Sequence, residues 1–222
     1  MSRVVVKLGG RVAAESVGHV LALHAAGDEV LVVHGAGPQI SAELERLGLP
    51  IRFVEGRRFT DPATLEVVRS SLLAVGVEVT ALIGSAAVHL VGDAIGLRAE
   101  PVPELGIVGE PVPGAPPAVV TALTEGLVPV VTPIAIGPLN VNADEAASAL
   151  AVGLGADRIV FVSDVPGVYL EGEVASRLHV DRASELLTSG AFEGGIVPKL
   201  LAAVRAARLG VHAEIGATEV LA

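Results

Sequence analysis

The stretches Val4-Val5-Val6-Lys7-Leu8-Gly9-Gly10 and Val30-Leu31-Val32-Val33-His34-Gly35-Ala36-Gly37-Pro38 decide the fold. Each is a short apolar run that stops at glycines, which suits a strand buried on both faces of a parallel sheet. Between them, residues 15–26 carry apolar positions at helical spacing and end at Gly27. Pro38 sits where the first turn of a helix accepts it, and that helix runs to Gly48. Strand, helix, strand, helix in this order implies an α/β protein with a parallel sheet covered by helices on both faces.

The rest of the chain continues the alternation. Asp61-Pro62 opens a helix expected to end near Ser71, and residues 87–112, rich in Gly, Pro and Val, read as short hairpins near one sheet edge. A helix over 116–125, a core strand over 127–132 and a helix entered through Asn140–Asp144 and ending near Gly153 follow. Strand 159–162 ends at Ser163-Asp164, helix 196–209 comes next, and 211–215 is read as the last strand. A soft boundary at Gly137-Pro138 divides an N-terminal lobe, 1–137, from a C-terminal lobe, 138–222, within one continuous domain. Ligands of such sheets bind beyond the carboxyl ends of the strands, where every loop here is polar or glycine-rich.

Composition excludes several classes. The chain has 222 residues, 51% of them hydrophobic and 18% charged, which rules out disorder. A net charge of −10 and 2% aromatics argue against nucleic acid as a partner. The lack of cysteine removes disulfides, zinc–thiolate sites and a thiol nucleophile. No apolar run reaches the ~18–20 residues of a membrane span, and the N-terminus has no signal-peptide anatomy. A soluble, cytoplasmic protein with no membrane partner is expected. The six histidines show no i,i+4 pair and no H-E-x-x-H, so they read as core or surface residues and no protein-held metal is expected.

Four motifs carry chemistry. The loops Lys7–Gly10 and His34–Pro38 follow strands, and glycine there lets an anion approach backbone N–H groups. Neither is a nucleotide fingerprint, and each reads equally well as a tight strand-to-helix turn. The only two asparagines, Asn140 and Asn142, precede Asp144 and Glu145 at a helix start, where one of them would suffice as a cap. The only two lysines, Lys7 and Lys199, stand against thirteen arginines. Lys199 lies in the first turn of a helix, against the macrodipole, which suggests a compact point charge is required there. Arg57-Arg58 either clamps a carboxylate or is a solvated turn.

Taken in order, VVVKLGG (4–10), VLVVHGAGPQIS (30–41), LGLPIRFVEGRRFTD (47–61), PELGIVGEP (103–111), NVNADEAASALAVGLGAD (140–157), IVFVSDVPGVY (159–169) and EGGIVPKLLAAVRAA (193–207) resemble the amino-acid kinase family, in its branch acting on N-acetyl-L-glutamate. The resemblance implies a three-layer α/β/α sandwich, with the amino acid in the N-terminal lobe and ATP with Mg²⁺ in the C-terminal lobe. By the same resemblance, Lys7 and Lys199 stabilise the phosphoryl group in flight and Asp144 orients them. Gly10, Gly35, Ala36 and Gly37 surround the phosphoryl and substrate region. Arg58, Asn140 and Asn142 hold the substrate. Gly9, Ser163, Asp164, Gly167, Tyr169 and Gly195 line the nucleotide pocket, the metal being carried by the nucleotide. A homodimer is the expected assembly.

The sequence departs from that pattern. The helix after Asp61 reads as shortened, with Val75-Gly76-Val77-Glu78 in place of the family's usual stretch, which bears on the dimer contact. Ala36 replaces a glycine and is expected to crowd the phosphoryl site. The chain is read as stopping at Ala222 just past its last strand, and no helix precedes Val4, so neither arginine feedback nor a hexamer is expected. Two rivals stay open: a kinase for glutamate or α-aminoadipate on an acidic carrier protein, which would need a basic apron, and a non-catalytic ligand-binding homologue. A γ-carboxylate, with a reference pKa near ~4.3, needs no general base, so a rate roughly flat between about pH 6.5 and 8.5 is expected.

Overall fold

The computed structural model describes residues 1–9, 14–54, 56–162 and 165–222. The elements run β1 (Arg3–Leu8), α1 (Ala14–Ala25), β2 (Glu29–His34), α2 (Gly37–Arg46), β3 (Phe53–Val54), β4 (Arg57–Arg58), α3 (Pro62–Ile83), β5 (Ala87–Val91), α4 (Gly92–Ile95), β6 (Ala99–Pro101), β7 (Val108–Pro111), α5 (Pro117–Thr124), β8 (Val128–Thr132), β9 (Ile134–Ala135), β10 (Leu139–Val141), α6 (Ala143–Gly153), β11 (Arg158–Phe161), β12 (Tyr169–Leu170), β13 (Glu173–Val174), β14 (Arg177–His179), α7 (Val180–Thr188), α8 (Ile196–Arg208), β15 (His212–Ile215) and β16 (Thr218–Leu221). Eight strands form the central sheet in the order β14-β16-β15-β11-β1-β2-β8-β5. Its neighbours pair in parallel except β15 with β16, so the sheet is mainly parallel, as expected.

Strand alternation builds the three layers. Val4, Val6 and Leu8 enter the apolar cluster that includes residues of α1, α2 and α3, whereas Val5 enters the one that includes α5, α6 and α8. Both β1 and β2 are buried along nearly their whole length, the reason they read as unbroken valine runs. Lys7 shares the parity of Val5 and therefore faces α6 and α8. That parity places its ammonium where the site forms.

Three sequence expectations need correction. The helix after Asp61 does not end near Ser71: α3 continues to Ile83. Asp61 caps it through Thr64 N at 2.7 Å, and Leu65, Val68, Leu72, Val75, Val79 and Ile83 keep one buried face at helical spacing. Burial of Val75 and Gly76 overrides the weak propensity of this stretch, while Val77 faces outward. Gly76 is needed there, since a Cβ would collide with His89 and His34. Residues 87–112 are not all hairpins: β5 is a parallel edge strand beside β8, and only β6 and β7 pair antiparallel, in a smaller four-stranded sheet. Finally, β15 is not last, because β16 folds back on it and pairs with β14.

Candidate active site

Two cavities open at the carboxyl end of the sheet, one beyond β1 and β2 and the other beyond β1 and β11, and share Gly9, Gly195 and Lys199. The first, about 520 Å³, is bounded by Lys7, the Gly35–Pro38 loop, Arg58 and Asn140–Asp144. The second, about 410 Å³, is bounded by Val165, Gly167, Tyr169, Phe192 and the start of α8.

Asp144 lines the first cavity beside Lys199, which both cavities share. Its Oδ1 lies 2.8 Å from Lys7 Nζ and 3.6 Å from Lys199 Nζ. Lys7 and Asp144 are each only 5% exposed. Taking such charges out of water costs several kcal/mol, and a second cation on one carboxylate leaves positive charge unbalanced. This is a poor way to gain stability and a good way to receive an anion. Burial pushes the Lys199 ammonium below its usual value; Asp144 opposes that drop and Lys7 adds to it.

Asp144 is placed by α6. Asn142 caps this helix: its Oδ1 accepts from Asp144 N at 2.8 Å and Glu145 N at 3.3 Å. The two asparagines therefore divide the work. Asn142 borders the first cavity but commits its carbonyl oxygen to the cap, while Asn140, on β10, donates Nδ2 to Thr60 Oγ1 at 2.9 Å. Thr60 in turn donates to Arg58 O at 2.9 Å, fixing the short β3–β4 hairpin against β10.

Arg57 and Arg58 also separate. Arg58, 8% exposed, donates Nη2 to Ser41 Oγ at 2.8 Å, stacks its guanidinium 4.6 Å from the Phe53 ring centroid, and keeps Nη1 buried without a partner. A buried guanidinium with a free donor in a cavity wall is a carboxylate receptor in waiting. Burial lowers its pKa, yet guanidinium remains charged. Arg57 instead pairs Nε with Glu145 Oε1 at 2.8 Å.

The glycine loop fits only in part. Gly35 N–H is already used, donating to Leu8 O at 3.0 Å. Gly37 opens α2, where first-turn N–H groups lack intrahelical acceptors. A Cβ on Gly9, Gly37 or Gly195 would meet nothing, so those backbones leave room for a ligand. Ala36 has an ordinary φ of −141°, borders the first cavity and is buried in the apolar cluster that includes α2. Gly167 borders the second cavity for a packing reason, because a Cβ would press on Thr218 and Val174. Thr218 of β16 accepts from Val168 N at 2.8 Å and donates to Ala175 O at 2.7 Å, bracing that wall. Tyr169 is half exposed at its rim. Gly10, Ser163 and Asp164 lie outside the described residues.

Sequence reasoning missed Ser41, Thr60, Glu145 and Thr218, single polar residues whose partners are remote in the chain. It also missed a histidine pair, His34 buried and His89 partly so: both bring Nε2 to Thr132 Oγ1, at 3.1 and 2.8 Å. Among the described residues no group of three His, Cys, Asp or Glu side chains is placed to hold a metal ion. No described helix is long and apolar enough to cross a membrane.

A carboxylate held between two ammonium groups in one cavity, with a second cavity sharing one of those lysines, is an arrangement chemically suited to anionic ligands. The amino acid kinase family pattern matches residues 2–216, and the chain belongs to that family. It is 41% identical to the acetylglutamate kinase of Rubrobacter xylanophilus over 97% of this chain and 88% of the relative. It is 35% identical to that of Dinoroseobacter shibae over 96% of this chain and 80% of the relative. Among solved structures, a Streptococcus mutans protein superposes with a TM-score of 0.90 at 24% identity, covering 99% of this chain and 98% of that one. The N-acetylglutamate synthase of Neisseria gonorrhoeae, in complex with coenzyme A and N-acetyl-glutamate, superposes at 0.84 and 20% identity, this chain spanning 59% of it. At these identities the solved structures speak for the fold alone.

Proposed function

We propose that the chain transfers the γ-phosphoryl group of ATP to the γ-carboxylate of N-acetyl-L-glutamate, giving N-acetylglutamyl 5-phosphate in arginine biosynthesis. The observation that carries this reading is Asp144 between Lys7 and Lys199, at 2.8 and 3.6 Å, with Lys199 in the wall of both cavities. Relatives named acetylglutamate kinase at 41% and 35% identity support the substrate.

The acceptor is an anion at neutral pH, so the reaction needs no base; it needs cancellation of charge along the line of transfer. One P–O bond to ADP breaks as a P–O bond to the γ-carboxylate forms, with no proton moved. Lys7 and Lys199, steered by one carboxylate oxygen, straddle the phosphoryl group and neutralise its oxygens. Arg58 takes the α-carboxylate through its free Nη1, and Asn140 the amide end. Gly9, Gly195 and the first turn of α8 border the second cavity and admit the phosphates of ATP there. Mg²⁺ would arrive with the nucleotide, bound to its phosphates. On this reading residues 1–137 supply most of the amino-acid site and 138–222 the nucleotide site, in a cytoplasmic homodimer. The carrier-protein alternative gains nothing from Arg57, which is paired with Glu145, or from Arg52, which lies over the Phe59 ring at 4.9 Å.

Hydroxylamine trapping tests the product directly. With Mg-ATP and N-acetyl-L-glutamate, an acyl phosphate yields a hydroxamate; its absence while ADP accumulates would mean that water, not the carboxylate, accepts the phosphoryl group.

A further inference from the structure

From Arg57, in the wall of the first cavity, runs a chain of alternating charges to which the proposed reaction assigns no role. Arg57 Nε meets Glu145 Oε1 at 2.8 Å, Arg57 Nη2 lies 3.8 Å from Glu110 Oε2, and Glu110 Oε1 meets Arg205 Nη1 at 2.8 Å. Each arm belongs to an element that carries a site residue. Arg57 precedes Arg58 on β4, Glu145 follows Asp144 in the first turn of α6, and Arg205 shares α8 with Lys199. Glu110 sits on β7, whose Val108 pairs with Asn140 of β10.

We infer that the Arg57–Glu145 pair, tied through Glu110 to Arg205, is a positioning device that sets where Arg58 stands relative to Asp144 and the two lysines. The inference rests on the proposed kinase reading, in which Arg58 grips one end of the substrate and the lysines act at the other. The β3–β4 hairpin has only two residues in each strand, too few ladder bonds to hold a guanidinium in register by itself. Its other ties include the Arg58 bonds to Ser41 Oγ and Gly37 O, which hold Arg58 to α2, and the Asn140 bond to Thr60, which holds the hairpin to β10. Arg57 supplies the tie to α6, on the side of the phosphoryl site.

The energetics fit a positioning role better than a stabilising one. Glu145 is mostly buried and its Oε2 has no partner, so its burial is only partly compensated. Burial raises its pKa, while Arg57 and, more weakly, Arg205 oppose that rise. A residue selected only for stability at that helical position would not bring a half-satisfied carboxylate with it.

The test compares N-acetyl-L-glutamate with N-acetyl-4-aminobutyrate, which keeps the accepting carboxylate but lacks the α-carboxylate that Arg58 would hold. The ratio of kcat/KM for the two measures how well Arg58 is aimed. Arg57→Met, Glu145→Gln and the double variant are each measured, the double leaving no unpaired buried charge if Arg57→Met alone unfolds. The expected result is a ratio that falls between about 10- and 100-fold in all three, no further in the double than in either single, with KM for ATP unchanged. Lowered melting temperatures with an unchanged ratio would overturn the inference and leave the kinase reading standing. A wild-type protein inert toward N-acetyl-L-glutamate would sink both together.

Discussion

Lys7 and Lys199 stand near opposite ends of the chain, yet both ammonium groups reach the same oxygen, Asp144 Oδ1, at 2.8 and 3.6 Å. Strand parity turns Lys7 toward α6 and α8, and the packing of α6 on both β1 and α8 closes the gap. Mutual repulsion of the two lysines is held in check by one carboxylate until a phosphoryl group takes its share. Lys199→Arg and Lys7→Arg keep the charge but replace a compact ammonium by a planar fork. Each is expected to lower kcat roughly 10²–10³-fold with little change in KM for N-acetyl-L-glutamate, measured by steady-state ADP release.

Lys199 must be protonated to act, and burial lowers its pKa from the reference 10.5. The rate should therefore stay level across about pH 6.5 to 8.5 and then fall on an alkaline limb that begins earlier than an exposed lysine would set. A pH profile of kcat extended past pH 9 checks this. Lys199→Arg should lose the limb along with most of the rate.

Arg58→Ala removes the free Nη1 donor and exposes the space beside Phe53 and Ser41. KM for N-acetyl-L-glutamate should rise by about 10- to 100-fold while KM for ATP stays within a factor of about two. Titration calorimetry with the amino acid alone gives the same comparison without turnover.

Acid should destabilise the fold through His34, which is fully buried and whose pKa burial, helped by His89, lowers from 6.5 to about 4 against an opposing backbone hydrogen bond to Gly35. The unfolded chain takes up this proton below about pH 6.5 but the folded one not until about pH 4. Stability is thus present above pH 6.5 and is lost as pH falls through that window, by roughly 3 kcal/mol from this residue. Burial lowers His89 too, in the same sense. Urea unfolding at pH 7 and pH 4.5 measures the loss, and His34→Gln should flatten the dependence.

Gly76→Ala tests why α3 can pass so close to that pair. The added methyl would collide with His89 and His34, so a destabilisation of about 1–3 kcal/mol is expected despite the better helix propensity of alanine. His89→Ala in the same chain should restore most of it.

The parallel sheet was legible because β1 and β2 are buried on both faces and write that burial as valine runs. Lys7 and Lys199 stood out in the sequence as the only two lysines, one at a strand end and one in the first turn of a helix, whereas Asp144 was picked out through the family resemblance. The length of α3 was not, since its continuation past Ser71 depends on valines and a glycine whose helical state is set by packing against β5 and β8. Nor was the split between Arg57 and Arg58: both border the first cavity, and only the tertiary fold says that Arg57 is spent on Glu145 while Arg58 keeps a free donor. Thr60, Ser41 and Thr218 left no local signal because each is defined by a partner far along the chain.

The most direct measurement is ADP release with Mg-ATP in the presence of N-acetyl-L-glutamate or plain L-glutamate, for the wild-type protein and Lys199→Arg. The account predicts turnover with the acetylated amino acid alone, lost in the arginine variant while its melting temperature is unchanged. Equal turnover in both proteins, or none with N-acetyl-L-glutamate under conditions where the protein is folded, would contradict it.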